Sequence, residues 1–339
     1  MKVLFWGTPA YALPSLEALL QAGHEMVGVV SQPDRRRGRG NDLIAAPIKA
    51  RALELGLPVF TPERIRRELD SQANLAALGA DLSVVVAFGQ ILPPEVLNQP
   101  PLGCWNAHGS LLPRWRGAAP IQWCLLEGDA ETGVGIMAMD EGLDTGPVLI
   151  EQRLGVGLLD NAAQLAERLA QLSASLLVEA IDRIAAVGEG PAVDRLARLG
   201  VRQQPSEGMT YARLLAKHDA QIDWSAAALD VHRRVMGLFP QALTQRQGQR
   251  FKLLATEPLV HRLRDNLSPE ARSLVDHWGG LQTGSPGTVL AVVEGVGAVI
   301  STGGCPLLLR QGQLEGKRAA GGTALLQQLN LKVGEQLGS

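Results

Sequence analysis

Short, unbroken apolar runs alternate with amphipathic stretches over the first half of the chain. Lys2–Trp6 (KVLFW) predicts a buried strand ended by Gly7. Leu13–Ala22 repeats apolar residues at helical spacing, and Gly23 closes it as a C′ glycine. Met26–Val30 predicts a second strand. Pro47–Leu55 predicts a helix opened by its proline and stopped by Gly56. Leu82–Ala87 (LSVVVA) is β-branched and unbroken, as a strand covered on both faces is, and Gly103–Ala107 (GCWNA) reads the same way. Val134–Met139 and Val148–Leu154 add two strands around an acidic, glycine-bearing loop. Asp160–Val187 predicts a long helix, with Leu165, Leu169, Leu172 and Leu176 as its apolar stripe and Asp160 as its cap. This alternation argues for an α/β domain built on an open, mostly parallel sheet.

The texture changes after Gly188-Glu189-Gly190-Pro191. Residues 191–208 mix Gly, Pro, Arg and Gln without periodicity and read as a linker between a first domain, 1–190, and a second, 209–332. In the second, Ser225–Met236 predicts a helix capped by Ser225. Phe251–Ala255, Gly287–Val293, Ala298–Ser301 and Leu307–Arg310 are short runs set off by glycines, the texture of a small β-barrel. Arg262–Gly284, rich in charge and in Ser and Gly, predicts a surface excursion, and Thr323–Leu331 a last helix.

Composition narrows the choice. Of 339 residues, 46% are hydrophobic and 19% charged, which excludes a disordered chain. The net charge of −2 excludes a uniformly basic coat, so a nucleic-acid partner must be met by a local patch. Three widely spaced cysteines form neither a disulfide framework nor a four-thiolate zinc site. Pro9 interrupts the opening run too early for a signal peptide, and no stretch approaches the ~20 apolar residues of a membrane span. The expectation is a soluble protein of a reducing cytoplasm.

Four segments carry candidate chemistry. Gly7-Thr8-Pro9 follows the first strand but lacks the remaining glycines of a dinucleotide fingerprint. Arg35, Arg36, Arg37 and Arg39, with Gly38 and Gly40, form a cationic lobe suited to a phosphate backbone, or else a solvated basic loop. Asn106 and His108, two residues apart on a strand, share one side of it. They read equally well as an oxyanion site for acyl transfer or as a structural pair closing a loop. Asp140–Gly146 is an acidic turn without the ligand ladder of a calcium loop, and one of its carboxylates reaching His108 would orient the ring. No Cys/His cluster suggests a metal, and no Gly-x-Ser-x-Gly elbow is present.

Asn106-Ala107-His108-Gly109-Ser110-Leu111-Leu112-Pro113, then Arg114-Trp115-Arg116-Gly117-Ala118-Ala119-Pro120, then Asp140 through Gly146, together resemble the folate-dependent formyltransferases. Phe5–Pro9, Ser31–Arg35, Gly38–Gly40, Ala87–Pro93 and Ile222–Trp224 extend the resemblance over nearly the whole chain. The resemblance implies a Rossmann-like first domain and an OB-like second one. It implies a formyl group moving from 10-formyl-tetrahydrofolate, a co-substrate, to the α-amine of methionine on initiator methionyl-tRNA, without a metal. A small amine acceptor, glycinamide ribonucleotide or an amino sugar nucleotide, is the alternative. By carry-over Asn106, His108 and Asp144 are catalytic. Ser110, Leu111, Leu112 and Pro113, with Phe88, Gly89, Gln90, Ile91 and Leu92, and with Asp140, Glu141, Gly142 and Leu143, hold the folate. Arg35, Arg36, Arg37, Arg39, Lys217, Lys317 and Arg318 meet the tRNA. A monomer is expected.

Overall fold

The computed structural model of the chain describes residues 1–37, 42–280 and 284–338. Its strands are β1 (Lys2–Gly7), β2 (Glu25–Val30), β3 (Arg35–Arg37), β4 (Asp42–Ile44), β5 (Val59–Phe60), β6 (Leu82–Val86), β7 (Cys104–His108), β8 (Arg116–Gly117), β9 (Glu131–Ala138), β10 (Val148–Gly155), β11 (Tyr211–Ala212), β12 (Leu243–Arg246), β13 (Gln249–Pro258), β14 (Val289–Val293), β15 (Gly297–Ile300), β16 (Leu307–Leu314) and β17 (Ala320–Gly321). Its helices are α1 (Leu13–Gln21), α2 (Pro47–Glu54), α3 (Leu69–Ala76), α4 (Pro94–Leu97), α5 (Pro120–Glu127), α6 (Ala162–Val187), α7 (Ala192–Leu199), α8 (Ala228–Gly237), α9 (Pro269–Trp278) and α10 (Gly322–Leu329). The chain divides into two compact units. The first holds Met1–Pro120, Glu131–Gly155 and Ala166–Arg213; the second holds Ile121–Ala130, Val156–Leu165 and Leu214–Ser339.

The first unit is built on a sheet of order β10-β9-β7-β6-β1-β2-β5. From β5 to β7 every pairing is parallel; β9 turns antiparallel against β7, and β10 against β9. The apolar runs explain the centre. β6 is buried at every position and β1 from Val3 onward, so both strands are covered on two faces. Trp6 packs edge-on against Phe88 at 5.1 Å between ring centroids, and its indole N–H donates to Ser83 Oγ at 3.2 Å. β2 and β6 flank β1 on opposite sides, so the order reverses there. In such sheets ligands bind beyond the carboxyl ends of the strands, at that reversal.

Several expectations are corrected. Residues 191–208 are not a bare linker: α7 occupies Ala192–Leu199, and the first unit runs on to Arg213. The helix is hard to see because its buried face is small, with only Arg195 and Leu199 buried. α6 starts at Ala162, and its cap is Asn161, whose Oδ1 accepts from the amides of Ala163 and Gln164 at 3.0 Å each. Asp160 instead accepts from the Gly157 amide. The arginine loop contains a hairpin, β3 with β4, in which Arg35 faces Ile44; three charges in a row hide any strand period.

The second unit carries an antiparallel sheet of order β12-β13-β16-β15-β14, with β17 on β16. Among the described residues no ladder joins the outer strands β12 and β14. α8 covers the sheet with Val231, Val235 and Met236, packed in one core with Trp224, Phe251, Leu253, Ile300, Leu307 and Leu309. Ser225 is not the cap of α8. Its hydroxyl donates to Asp223 Oδ1 in a local turn, and the helix begins three residues later. Within the 262–284 excursion, α9 buries Ala271 and Val275 against Leu259, Val299 and Leu308. Among the described residues no helix is long and apolar enough to cross a membrane.

Candidate active site

β7 sets the site. Its register against β6 pairs Val85 with Asn106, and against β9 it pairs Met137 with Asn106 and Gly135 with His108. Strand alternation puts Trp105 and Ala107 on the face opposite to Asn106 and His108. Asn106 is half-buried and His108 is 5% exposed. The third group arrives from the loop between β9 and β10. Gly146 makes this possible, because a Cβ there would land on the Ala138 carbonyl oxygen. Asp144 itself holds a left-handed backbone, φ +53°, which Asp tolerates better than most residues.

The three side chains converge. Asn106 Nδ2 donates to Asp144 Oδ1 at 3.3 Å, and Asp144 Oδ2 accepts from the Gly117 amide at 2.8 Å. His108 Nδ1 faces the same carboxylate at 3.7 Å, too long for a hydrogen bond but within electrostatic contact. His108 Nε2 lies 2.9 Å from the Trp115 carbonyl, which only accepts, so that nitrogen carries a proton. The two expected donors are therefore not equivalent. Asn106 has a second N–H without a partner among the described residues, whereas the Nε2 proton of His108 already points at Trp115. The loop that supplies this carbonyl turns through Trp115 at φ +62°, with the Arg114 guanidinium 4.2 Å above the indole. At the head of β7, burial pushes the Cys104 thiol up to about 12, so it is no nucleophile.

The residues expected to hold folate divide by surroundings. Gln90 is consumed by the 62–65 segment: its Oε1 accepts from the Ile65 amide at 2.9 Å and its Nε2 donates to the Pro62 carbonyl at 3.0 Å. Ser110 is buried and its hydroxyl donates to the Arg114 carbonyl at 2.6 Å. Leu112 packs with Met137 and Val148, and Phe88 and Leu92 lie in the core cluster of Trp6 and Val85. Asp140 Oδ1 closes its own turn on the Gly142 amide and Thr145 Oγ1. Leu111 and Pro113 are half-buried, Leu111 beside Gly133. Ile91 and Leu143, at 66% and 50% exposure, are the large apolar side chains left open, with Glu141 and Gly142 also exposed. A cleft of about 220 Å³ opens at the carboxyl ends of β1, β2 and β6, lined by Thr8, Gln32, Arg35, Ile44, Phe88 and Gly89 among others. Thr8 Oγ1 and Gln32 Nε2 both donate to the Phe88 carbonyl there, at 2.8 and 3.2 Å.

Of the cations, Arg35 is exposed on the rim of that cleft, and Arg36 and Arg37 continue β3. Arg39 lies outside the described residues. In the second unit Lys217, Arg250 and Lys252 line a cavity of about 770 Å³, and Lys317 and Arg318 are exposed between β16 and β17. Sequence reasoning missed Gln204 and Arg116. Arg116 is 7% exposed and donates to Gln204 Oε1 through Nε and Nη2, while Gln204 Nε2 donates to the carbonyls of Asp144 and Gly146. Nothing in the aperiodic stretch around Gln204 signals this.

The chain matches a family model described as "Formyl transferase" over residues 1–181 and one described as "Formyl transferase, C-terminal domain" over 214–330. It is 64% identical to the methionyl-tRNA formyltransferase of Synechococcus sp. (strain CC9605), covering 100% of this chain and 99% of that one. It is 58% identical to the methionyl-tRNA formyltransferase of Prochlorococcus marinus (strain MIT 9313), covering 99% and 98%. Among solved structures, the N-formyltransferase from Helicobacter canadensis in complex with folinic acid and dTDP-3-aminofucose superposes with a TM-score of 0.58 at 15% identity, over 91% of this chain and 98% of that one. HypX from Aquifex aeolicus in complex with tetrahydrofolic acid superposes at 0.62 with 16% identity; the chain spans about half of that protein, 48%. At these identities the two structures attest the fold.

Proposed function

The chain belongs to the formyl transferase family, and from that premise we propose that it moves a formyl group from 10-formyl-tetrahydrofolate to the α-amine of methionine on initiator methionyl-tRNA. The observation that carries the reading is the convergence of Asn106, His108 and Asp144 on one side of β7, at the ligand-binding end of the sheet. High identity to methionyl-tRNA formyltransferases over the full length, both domains included, supports tRNA as the acceptor carrier.

The residues divide the work by the hydrogens they have left. The amine attacks the formyl carbon, the bond to the folate nitrogen breaks, and in passing negative charge gathers on the formyl oxygen. Asn106 directs its unpartnered N–H at that oxygen, a preorganised donor whose loss costs on the order of 3–4 kcal/mol of barrier. Asp144 fixes which way the Asn106 amide points and offers His108 Nδ1 an acceptor. A proton leaving the amine is held between His108 and Asp144 until the folate nitrogen takes it. Ile91 and Leu143 offer apolar surface for the pterin, with backbone groups of 88–92 and 140–143 as its polar partners. Binding of the tRNA phosphates falls to Arg35, Arg36, Arg37 and Arg39 and to the second unit's Lys217, Lys317 and Arg318, so it weakens as salt rises.

The test is transfer of labelled formyl from 10-formyl-tetrahydrofolate to charged initiator tRNA, beside glycinamide ribonucleotide and amino sugar nucleotides, across a salt series. Transfer to Met-tRNA that falls with ionic strength supports the reading. Transfer to a small acceptor alone, or transfer to tRNA indifferent to salt, overturns it.

A further inference from the structure

We propose that Gln204, between α7 and β11, is a positioning residue for Asp144, and through it for His108 and Asn106, with Arg116 as its anchor. The inference rests on the formyl-transfer reading above.

The Gln204 amide is saturated. Its nitrogen donates to the carbonyls of Asp144 at 2.9 Å and Gly146 at 2.7 Å; its oxygen accepts from Arg116 Nε at 3.0 Å and Nη2 at 2.8 Å. Two carbonyls require donors and a guanidinium requires an acceptor, so the amide has one permitted orientation. The nitrogen therefore brackets Thr145 and clamps the backbone whose left-handed turn aims the Asp144 carboxylate. The oxygen side holds the second loop. Arg116 begins β8, which pairs with β11, and its neighbours on either side touch the site: the Trp115 carbonyl meets His108 Nε2, and the Gly117 amide meets Asp144 Oδ2. One amide thus sets the distance between the two loops that grip His108 from its two nitrogens. Further bonds lash the 115–118 loop to 210–212: the Trp115 amide donates to Thr210 Oγ1 at 2.9 Å and the Ala118 amide to the Ala212 carbonyl at 2.8 Å. A stretch that reads as a linker in sequence is the back wall of the site.

Two substitutions separate the roles. Gln204→Ala removes both halves. Gln204→Glu keeps the acceptor for Arg116 and sets a carboxylate oxygen against the carbonyls of Asp144 and Gly146. A role confined to anchoring Arg116 would leave Gln204→Glu at the wild-type rate. A misplacement of about 1 Å at a reacting group costs up to about 100-fold, so both variants are expected to lower kcat by about 10- to 100-fold, with KM for folate and for tRNA within about three-fold of wild type. The ring nitrogen signals of His108, assigned by their loss in His108→Asn, are expected to move in both variants by nitrogen-15 NMR. Wild-type kcat in Gln204→Glu, or unmoved His108 signals in both variants, overturns the proposal. If the wild-type chain transfers no formyl to Met-tRNA, the functional reading fails, while the ring signals still decide the positioning.

Discussion

Asp144→Asn separates charge from shape at the centre of the site. The carboxylate is 13% exposed and has three neighbours: the Gly117 amide at 2.8 Å, Asn106 Nδ2 at 3.3 Å and His108 Nδ1 at 3.7 Å. An amide of the same size has one oxygen to give. The backbone N–H of Gly117 cannot turn away, so it takes that oxygen, and the new NH2 group faces the NH2 group of Asn106. Donor against donor is relieved when Asn106 rotates its amide by half a turn. It then presents an acceptor where the formyl oxygen gathers negative charge. Loss of one such donor costs ~3–4 kcal/mol, so kcat is expected to fall by about 10²- to 10³-fold. Stability should fall by only ~1–2 kcal/mol, since the Gly117 bond survives and the rotated Asn106 accepts from the new NH2 group. Rapid-quench single turnover with labelled formyl donor and charged tRNA reads the chemical step, and a denaturant titration reads the fold. A transfer rate within about three-fold of wild type in a stably folded Asp144→Asn protein would refute the reasoning, because the Asn106 orientation would then not depend on the carboxylate.

Four further outcomes are expected. Gly146→Ala places a methyl on the Ala138 carbonyl and must lift the Asp144 loop, so kcat should drop by about 10-fold or more in a folded protein; an unchanged rate would show the loop to be tolerant. Arg39→Ala should weaken tRNA use and leave folate binding alone, and equal loss of both, measured by separate KM values, would point to a structural role. Burial pushes the Tyr11 phenol up to about 12, opposed by its bond to Ser173. Its contribution to stability is therefore complete below pH 10 and lost between pH 10 and about 12; the phenolate absorbance that Tyr11→Phe removes should have its midpoint near 12, and a midpoint near 10 counts against the burial. Burial also lowers the pKa of His232 below its ordinary 6.5, with Glu257 opposing and Arg233 adding to the shift, while the ring bonds Leu158 and Thr256. That stability is present above pH 6.5 and lost as pH falls, so His232→Gln should flatten the acid side of a denaturant-midpoint profile; parallel wild-type and variant profiles would contradict it.

What the chain's own order of residues settled is local or periodic. Unbroken β-branched runs announced the buried strands β1 and β6, because a strand covered on both faces has no polar side to alternate with. The two-residue spacing of Asn106 and His108 put them on one side of β7 for the same geometric reason. The resemblance of the Asp140–Gly146 loop to a family pattern nominated Asp144, yet nothing in its spacing could carry it across 38 residues to Asn106. That meeting depends on β9 pairing antiparallel with β7 and on Gly146 letting the loop lie against the strand end, and pairing order is a property of the folded sheet. The hairpin at Arg35 stayed hidden behind three successive charges, and the clamp at Gln204 because its partners are distant in sequence; the short helix at Ala192 does space Val193, Leu196 and Leu199 helically, but inside a stretch of Gly, Pro and charge that reads as a connection. Periodicity reports which face of an element is buried. Hydrogen bonds between loops, which aim the chemistry here, leave no period to read, and only the tertiary structure decides them.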